Sequence, residues 1–260
     1  MTNASGPLTG IRVVDLTTAV SGPVAAVILA DQGADVIKIE PPGGDFMRAA
    51  GPESGMNPTF VACNRGKRSI VLDLKQQGAA DILWRLIESA DVLIQNFRPG
   101  AIERLGFGAS TVAARNPRLV YLSISGVGES GPYSGKRVYD PVIQALGGLA
   151  DIQADPQTGR PRMVRTLIAD KTTAVYAAQA VVAALFSRER TGMGQHVRLS
   201  MLDTLVCYLW PEGMTSFALV DAEPETTAAS AHDMIFPTAD GYMTLGAVSN
   251  REWRALCEVL

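Results

Sequence analysis

The first apolar cluster, IRVVDL at residues 11–16, is short and rich in β-branched side chains, and it predicts a buried strand. A loop, TTAVSGP, follows at 17–23. Pro23 suits the first turn of a helix running to about residue 32, and Gly33 suits its end. A second apolar run, DVIKIE at 35–40, predicts the next strand and stops at PPGGD. Strand, helix, strand makes one βαβ unit, with a right-handed crossover and parallel strands. The alternation then repeats. Residues 68–74 predict a strand, 76–89 a helix with Trp84 and Leu86 on its apolar side, 91–97 a strand, 101–115 a helical stretch and 118–126 a strand. Such alternation points to an open α/β sheet.

From residue 141 the texture changes. A helix near 141–149 leads into the polar stretch DIQADPQTGRPR. A long helix is expected at 171–189, then the turn TGMGQ, a strand at 196–200 and a helix at 202–210. ETTAASAH, 225–232, reads as a linker. Residues 234–248 read as a hairpin turning at Asp240-Gly241. An amphipathic helix starts at 250 and reaches Leu260 without a cap, Gly or Pro. The expected organisation is therefore a large domain over 1–224 and the beginning of a smaller one over 225–260, truncated within it. Ligands on open α/β sheets sit beyond the carboxyl ends of the strands, which singles out the loops 17–23, 40–48, 96–100 and 126–140.

Composition narrows the function classes. The 260 residues are 47% hydrophobic and 19% charged, with a net charge of −3 and no run of Lys or Arg. That disfavours disorder, nucleic acid and an anionic membrane surface. The three cysteines are scattered and lack any Cys-x-x-Cys spacing, as expected of reduced thiols in a cytoplasmic protein without a bound metal. The N-terminus shows no secretory signal pattern, and the apolar run 174–186 is too short to cross a membrane.

Motifs narrow them further. No G-x-G-x-x-G follows the first strand and no Walker motif is present, which disfavours an ordinary NAD enzyme or a P-loop NTPase. Glu40 closes the second strand, where a ribose-binding acid or a solvated strand end are equally open. Lys38, Arg65, Lys67, Arg68, Lys75, Arg98, Arg104, Lys136 and Arg137 gather near strand ends, as a site for an anion bearing several phosphates or carboxylates would require. His196 and His232 neighbour no nucleophile in sequence, and no G-x-S-x-G exists. A catalytic carboxylate is left, as nucleophile or as acid/base. One such candidate is Asp170, before KTTAVYAAQ, where a helix cap is the competing reading. A helix N-terminus would also favour its ionised form.

Several blocks in one order resemble the class III CoA-transferase family, also called CaiB/BaiF. They include LTGIRVVDLTTAVSGPVAAVILADQGADVIKIEPPGGD, NRGKRSIVLDLK, DVLIQNFRPGAIERLG, YDPVIQALGG and GRPRMVRTLIADKTTAVYAAQAVVAALFSRERTGMGQHVRLSMLD. The resemblance runs from about residue 8 to 203 and, more weakly, through DGYMTLGAVSNREW. It implies a Rossmann-like large domain, a smaller second domain, and a homodimer of interlocked ring-shaped subunits built from a chain longer than this one.

The family nucleophile maps onto Asp170. The implied reaction moves CoA between carboxylic acids through an aspartyl-acyl anhydride and an aspartyl-CoA thioester, with acyl-CoA as substrate and no tightly bound cofactor. Family CoA contacts map onto Val20, Ser21, Leu72, Lys75, Asn96, Phe97, Arg98, Arg104, Lys136, Arg137 and Tyr139. Val20 stands where some members carry a polar residue. The family also holds α-methylacyl-CoA racemases, whose catalytic His would fall at Tyr139 here, so the resemblance favours transfer over a racemase-like isomerase. An inactive acyl-CoA-binding fragment is the third alternative.

Overall fold

The computed structural model describes residues 5–49, 57–211, 213 and 234–259. The chain divides into two compact units, Met1–Leu209 and Trp210–Leu260. The expected boundary at 224/225 and the expected linker at 225–232 lie outside the described residues.

The first unit holds six parallel strands: β1 (Arg12–Asp15), β2 (Asp35–Glu40), β3 (Arg68–Val71), β4 (Val92–Gln95), β5 (Val120–Ser125) and β6 (His196–Ser200). Their order is β3-β2-β1-β4-β5-β6. This is the Rossmann order, in which the chain winds outward in both directions from β1 and leaves a crevice between β1 and β4.

Side chains alternate across the sheet, and each face has its own cover. Val14, Leu16, Ile37, Ile39, Leu93 and Tyr121 pack with Leu83, Ile87, Phe107 and Val112 from α3 (Gln77–Glu88), α5 (Ala109–Arg115) and the turn before α5. The opposite face meets α1 (Ser21–Asp31) and α8 (Ile168–Thr191). α1 is apolar nearly all round and is buried accordingly. Ala25 and Ala26 on α1 and Ala174, Ala177 and Ala178 on α8 are buried, and the two helices pack on each other. Side chains this short let helix backbones come close.

Three expected elements are corrected. The helical stretch 101–115 is two helices, α4 (Ala101–Arg104) and α5, because Gly106 turns left-handed at φ +86° between them. The third strand ends at Val71, and the chain turns at Asp73, whose carboxylate accepts from the Lys75 amide at 3.2 Å. One helix was not foreseen: α2 (Pro58–Asn64) starts where Asn57 accepts from the Thr59 amide and Pro58 takes the first helical position. After β5 the helix expected near 141–149 is also two helices, α6 (Asp140–Leu146) and α7 (Leu149–Ile152), with Gly148 left-handed at φ +83° between them; α9 (Met201–Leu209) closes the unit.

In the second unit, β7 (Ile235–Pro237) and β8 (Tyr242–Thr244) pair antiparallel. Pro237 faces Tyr242 across the ladder, so residues 238–241 form the loop and Asp240-Gly241 is its second half. α10 (Asn250–Val259) opens on a capping box: Ser249 Oγ accepts from the Glu252 amide, and Glu252 returns a carboxylate oxygen to the Ser249 amide.

Candidate active site

β1 ends on Asp15, which is fully buried on the α1 face. One of its oxygens accepts from the Thr17 amide at 2.9 Å and from the Thr17 hydroxyl; the other meets Lys67 Nζ at 2.8 Å. Lys67 also donates to the Pro23 carbonyl and to Asn64 Oδ1, each at 2.9 Å. Lys38 donates to the Thr17 carbonyl at 2.7 Å and pairs with Asp45 at 3.1 Å. Burial pushes the Asp15 carboxyl up, but Lys67 and Lys38 more than offset it and hold the carboxyl below its ordinary range.

These bonds clamp the loop after β1 at its root. Beyond the clamp, Ala19 sits at φ +67°, a costly conformation for a residue with a Cβ. Gly22 follows because a Cβ there would lie 2.4 Å from the Thr17 side chain. Asn96, after β4, bridges the crevice: its Oδ1 accepts from the Thr18 amide at 3.0 Å and its Nδ2 donates to the Thr18 carbonyl at 2.8 Å.

A cleft of about 280 Å³ opens between these loops. Of the residues singled out in the sequence, Ser21, Asn96, Phe97, Arg98, Lys136, Arg137, Tyr139 and Asp170 line it. Val20 and Leu72 are buried outside the cleft lining, Leu72 in the opposite-face core; Lys75, on its turn, and Arg104, at the end of α4, are exposed and also outside it. Thr18, Ala19, Phe46, Pro99, Ile124, Ser125–Gly128, Ser134, Val138 and Met201 complete the wall. Of these, all but Ile124 and Ser125, which end β5, and Met201 lie in the loops expected beyond the strand ends.

Asp170 is the third residue of α8, not its cap. The cap position is Leu167, whose side chain makes no capping bond. A different acid serves the helix start: buried Asp140 accepts from the Asp170 amide at 2.9 Å. The other Asp140 oxygen accepts from Gln144 Nε2 at 2.6 Å, while Gln144 Oε1 accepts from the Val164 amide at 3.0 Å. Asp140 and Gln144 thus brace the segment that delivers Asp170. Sequence alone hid this brace, because its partners lie 20 to 30 residues apart.

The helix start favours the ionised form of Asp170, and the surroundings of the carboxyl work against it. Burial pushes its carboxyl up to about 6, the Asp140 charge adds to this, and hydrogen bonds from the Ser21 hydroxyl and amide oppose it. At pH 7 the carboxylate still outnumbers the acid by about tenfold. Asp140→Asn keeps an acceptor for the Asp170 amide but removes the charge. The acid limb of activity that reports Asp170 should move to lower pH. A pH–rate profile checks this, and an unmoved limb would contradict the placement.

Apart from Lys75 and Arg104, the basic set divides in two. Lys38 and Lys67 are buried in ion pairs, Arg65 pairs with Asp31, and Arg68 pairs with Asp35. None of these four lines the cleft. Arg98, Lys136 and Arg137 do line it, and Lys136 also lies 4.1 Å over the Tyr133 ring. Glu40 is no exposed ribose ligand. The Arg48 guanidinium beside it, against the effect of burial and aided by the Ser69 hydroxyl and Asp45 amide, holds its carboxyl down to about 2. His232 is outside the described residues.

The sequence model described as CoA-transferase family III matches residues 8–260. The chain belongs to this family. It is 38% identical over 274 residues to a succinate–glutarate CoA-transferase of Agrobacterium fabrum, covering 100% of this chain and 68% of that protein. It is 42% identical over 206 residues to an acetyl-CoA:oxalate CoA-transferase of Acetobacter aceti, covering 78% of this chain and 53% of that protein. A crystal structure of a CaiB/BaiF family protein from Brucella suis superposes with a TM-score of 0.86 at 34% identity, over 98% of this chain and 70% of that one. The family III chain thus spans about half to about two thirds of these curated relatives. Among its described residues no group of His, Cys, Asp and Glu could hold a metal, and no helix is long and apolar enough to cross a membrane.

Proposed function

We propose that this family III chain carries the CoA-binding and nucleophilic part of an acyl-CoA:carboxylate CoA-transferase, with Asp170 as nucleophile. The observation that carries the reading is the meeting of a half-buried carboxylate with three cationic side chains, Arg98, Lys136 and Arg137, in one switch-point cleft. The cations suit the phosphates of CoA. The carboxylate is short of water, so its attack is not slowed by a full hydration shell.

Asp170 Oδ attacks the thioester carbonyl of a donor acyl-CoA. The C–S bond breaks, CoA leaves as thiolate, and a mixed anhydride remains. The thiolate attacks the aspartyl carbonyl of that anhydride, the donor acid leaves as carboxylate, and an aspartyl-CoA thioester is formed. An acceptor carboxylate attacks the same carbonyl and expels the thiolate, giving a second anhydride. The thiolate then attacks the acceptor's acyl carbon, which releases the new acyl-CoA and restores Asp170. No net proton is taken up. The Ser21 amide and hydroxyl, already directed at the Asp170 carboxyl, are placed to stabilise charge on its oxygens. The substrate pair is a carboxylic acid and the CoA thioester of another. The protein acts as a cytoplasmic, interlocked homodimer.

A second reading, a racemase-like isomerase, draws on the raised Asp170 carboxyl beside Asp140, which resembles an acid/base pair. Acyl-CoA followed by hydroxylamine separates the two. Transfer predicts a hydroxamate on Asp170; deuterium wash-in at the α-carbon without a hydroxamate would overturn transfer in favour of isomerisation. CoA binding with neither signal would leave an acyl-CoA-binding fragment.

A further inference from the structure

On the sheet face opposite Asp170, a polar chain crosses three strands. Gln95 Oε1 accepts from the Phe97 amide at 2.8 Å, Gln95 Nε2 donates to Ser123 Oγ at 2.9 Å, and Ser123 Oγ lies 2.8 Å from His196 Nε2. Gln95 and Ser123 are 5% and 4% exposed. The backbone sets their direction. An amide N–H can only donate, so Gln95 turns its oxygen to Phe97 and its NH₂ to Ser123. Ser123 Oγ keeps its hydrogen for His196 Nε2 when that ring is neutral with its proton on Nδ1, and this is the form we assign.

We infer that Gln95, Ser123 and His196 form a positioning relay, which holds the Phe97–Arg98 segment in the shape that receives acyl-CoA. The inference rests on reading the cleft as the acyl-CoA site. Phe97 and Arg98 line both that cleft and a side chamber of about 170 Å³ whose wall includes Gln95 and Ser123. The relay meets the substrate only through the backbone it fixes. Apolar side chains would fill the same space without setting the rotation of the Phe97 amide; the Gln95 oxygen that accepts from it sets it.

The groups around His196 keep the relay in this form. Tyr121 meets its ring edge-on at 5.1 Å. Arg198 lies on the same strand and pairs with Glu129 at 3.1 Å, and Glu103 approaches from α4. Burial, with Arg198, holds the imidazole below its ordinary range against the pull of Glu129 and Glu103.

The chain has two histidines, so ¹⁵N NMR of the protein beside its His232→Gln variant isolates His196. The expected result is the Nδ1–H tautomer at pH 7. Ser123→Ala should shift the Phe97 and Arg98 amide resonances and raise KM for acyl-CoA about 3- to 10-fold, with kcat within about twofold. Ser123→Thr, which keeps the hydroxyl and has the chamber for its methyl, should restore both. An Nε2–H tautomer, or unchanged amides and KM in Ser123→Ala, would overturn the relay. If the unaltered protein transfers no CoA, the reading of the cleft fails, while the tautomer and amide shifts still decide on the relay.

Discussion

Asp170→Ala and Asp170→Asn should each lower CoA transfer by about 10³-fold or more, because neither side chain can form the acyl anhydride. The same variants should be more stable than the parent protein. The folded-state carboxyl is raised to about 6 from the ordinary 3.8. A group raised in this way contributes stability below its unfolded pKa and loses it as pH rises through the folded one. At neutral pH the ionised Asp170 therefore costs up to about 3 kcal/mol, less whatever solvent screening removes. Asp170→Asn keeps the Asp140 bond to its amide and removes that cost, so its Tm should rise by several degrees at pH 7 and by less at pH 4. Thermal melts beside transfer assays check both halves. Loss of activity with an unchanged or lower Tm at pH 7 would show that the buried charge is not the strain described here.

Lys67→Met should have the largest effect on stability. Lys67 and Asp15 have side chains 1% and 0% exposed, and Lys67 bonds three partners at 2.8–2.9 Å. Lys38 cannot take over, being committed to the Thr17 carbonyl and Asp45. Removing one member of a buried pair leaves an uncompensated charge and costs about 3–5 kcal/mol. For a unit of this size that lowers Tm by roughly 10 °C at pH 7. In the parent protein Asp15 is held below its ordinary range, so the pair's contribution is present above that range and lost only as the pH falls through the lowered value. In K67M it is missing already at neutral pH. Adding Asp15→Asn to K67M should recover part of the loss, since an amide needs no counter-charge. A Tm within about 2 °C of the parent would contradict the clamp.

The βαβ units were legible because buried strands and amphipathic or apolar helices have different periods, and β1, β2, β4 and β5 appear where those periods place them. The strand order was not, since nothing local tells β4 to return beside β1 instead of β3. The cleft walls were legible as strand-end loops. The charges were read less well. Lys38 stands between Ile37 and Ile39 in a strand buried on both faces, a hint that it is a core residue, yet as a basic residue near a strand end it had joined the anion set. Its partner Asp45 lies beyond the strand in the following loop, and Lys67's partner Asp15 is 52 residues away, so charge counting could not separate buried pairs from the three cations in the cleft. Asp170 shows the same limit. Local pattern left cap and chemistry open, family resemblance favoured chemistry, and the fold assigned the capping of its helix to Asp140.

Oxygen exchange tests the central reading most directly. An acceptor carboxylate labelled with ¹⁸O leaves one of its oxygens on Asp170 when the second anhydride is cleaved at the acceptor's acyl carbon. After turnover with acyl-CoA and labelled acceptor, the peptide containing Asp170 should gain about 2 Da for each oxygen exchanged. Transfer of CoA to the acceptor with no gain in that peptide would contradict Asp170 as the nucleophile.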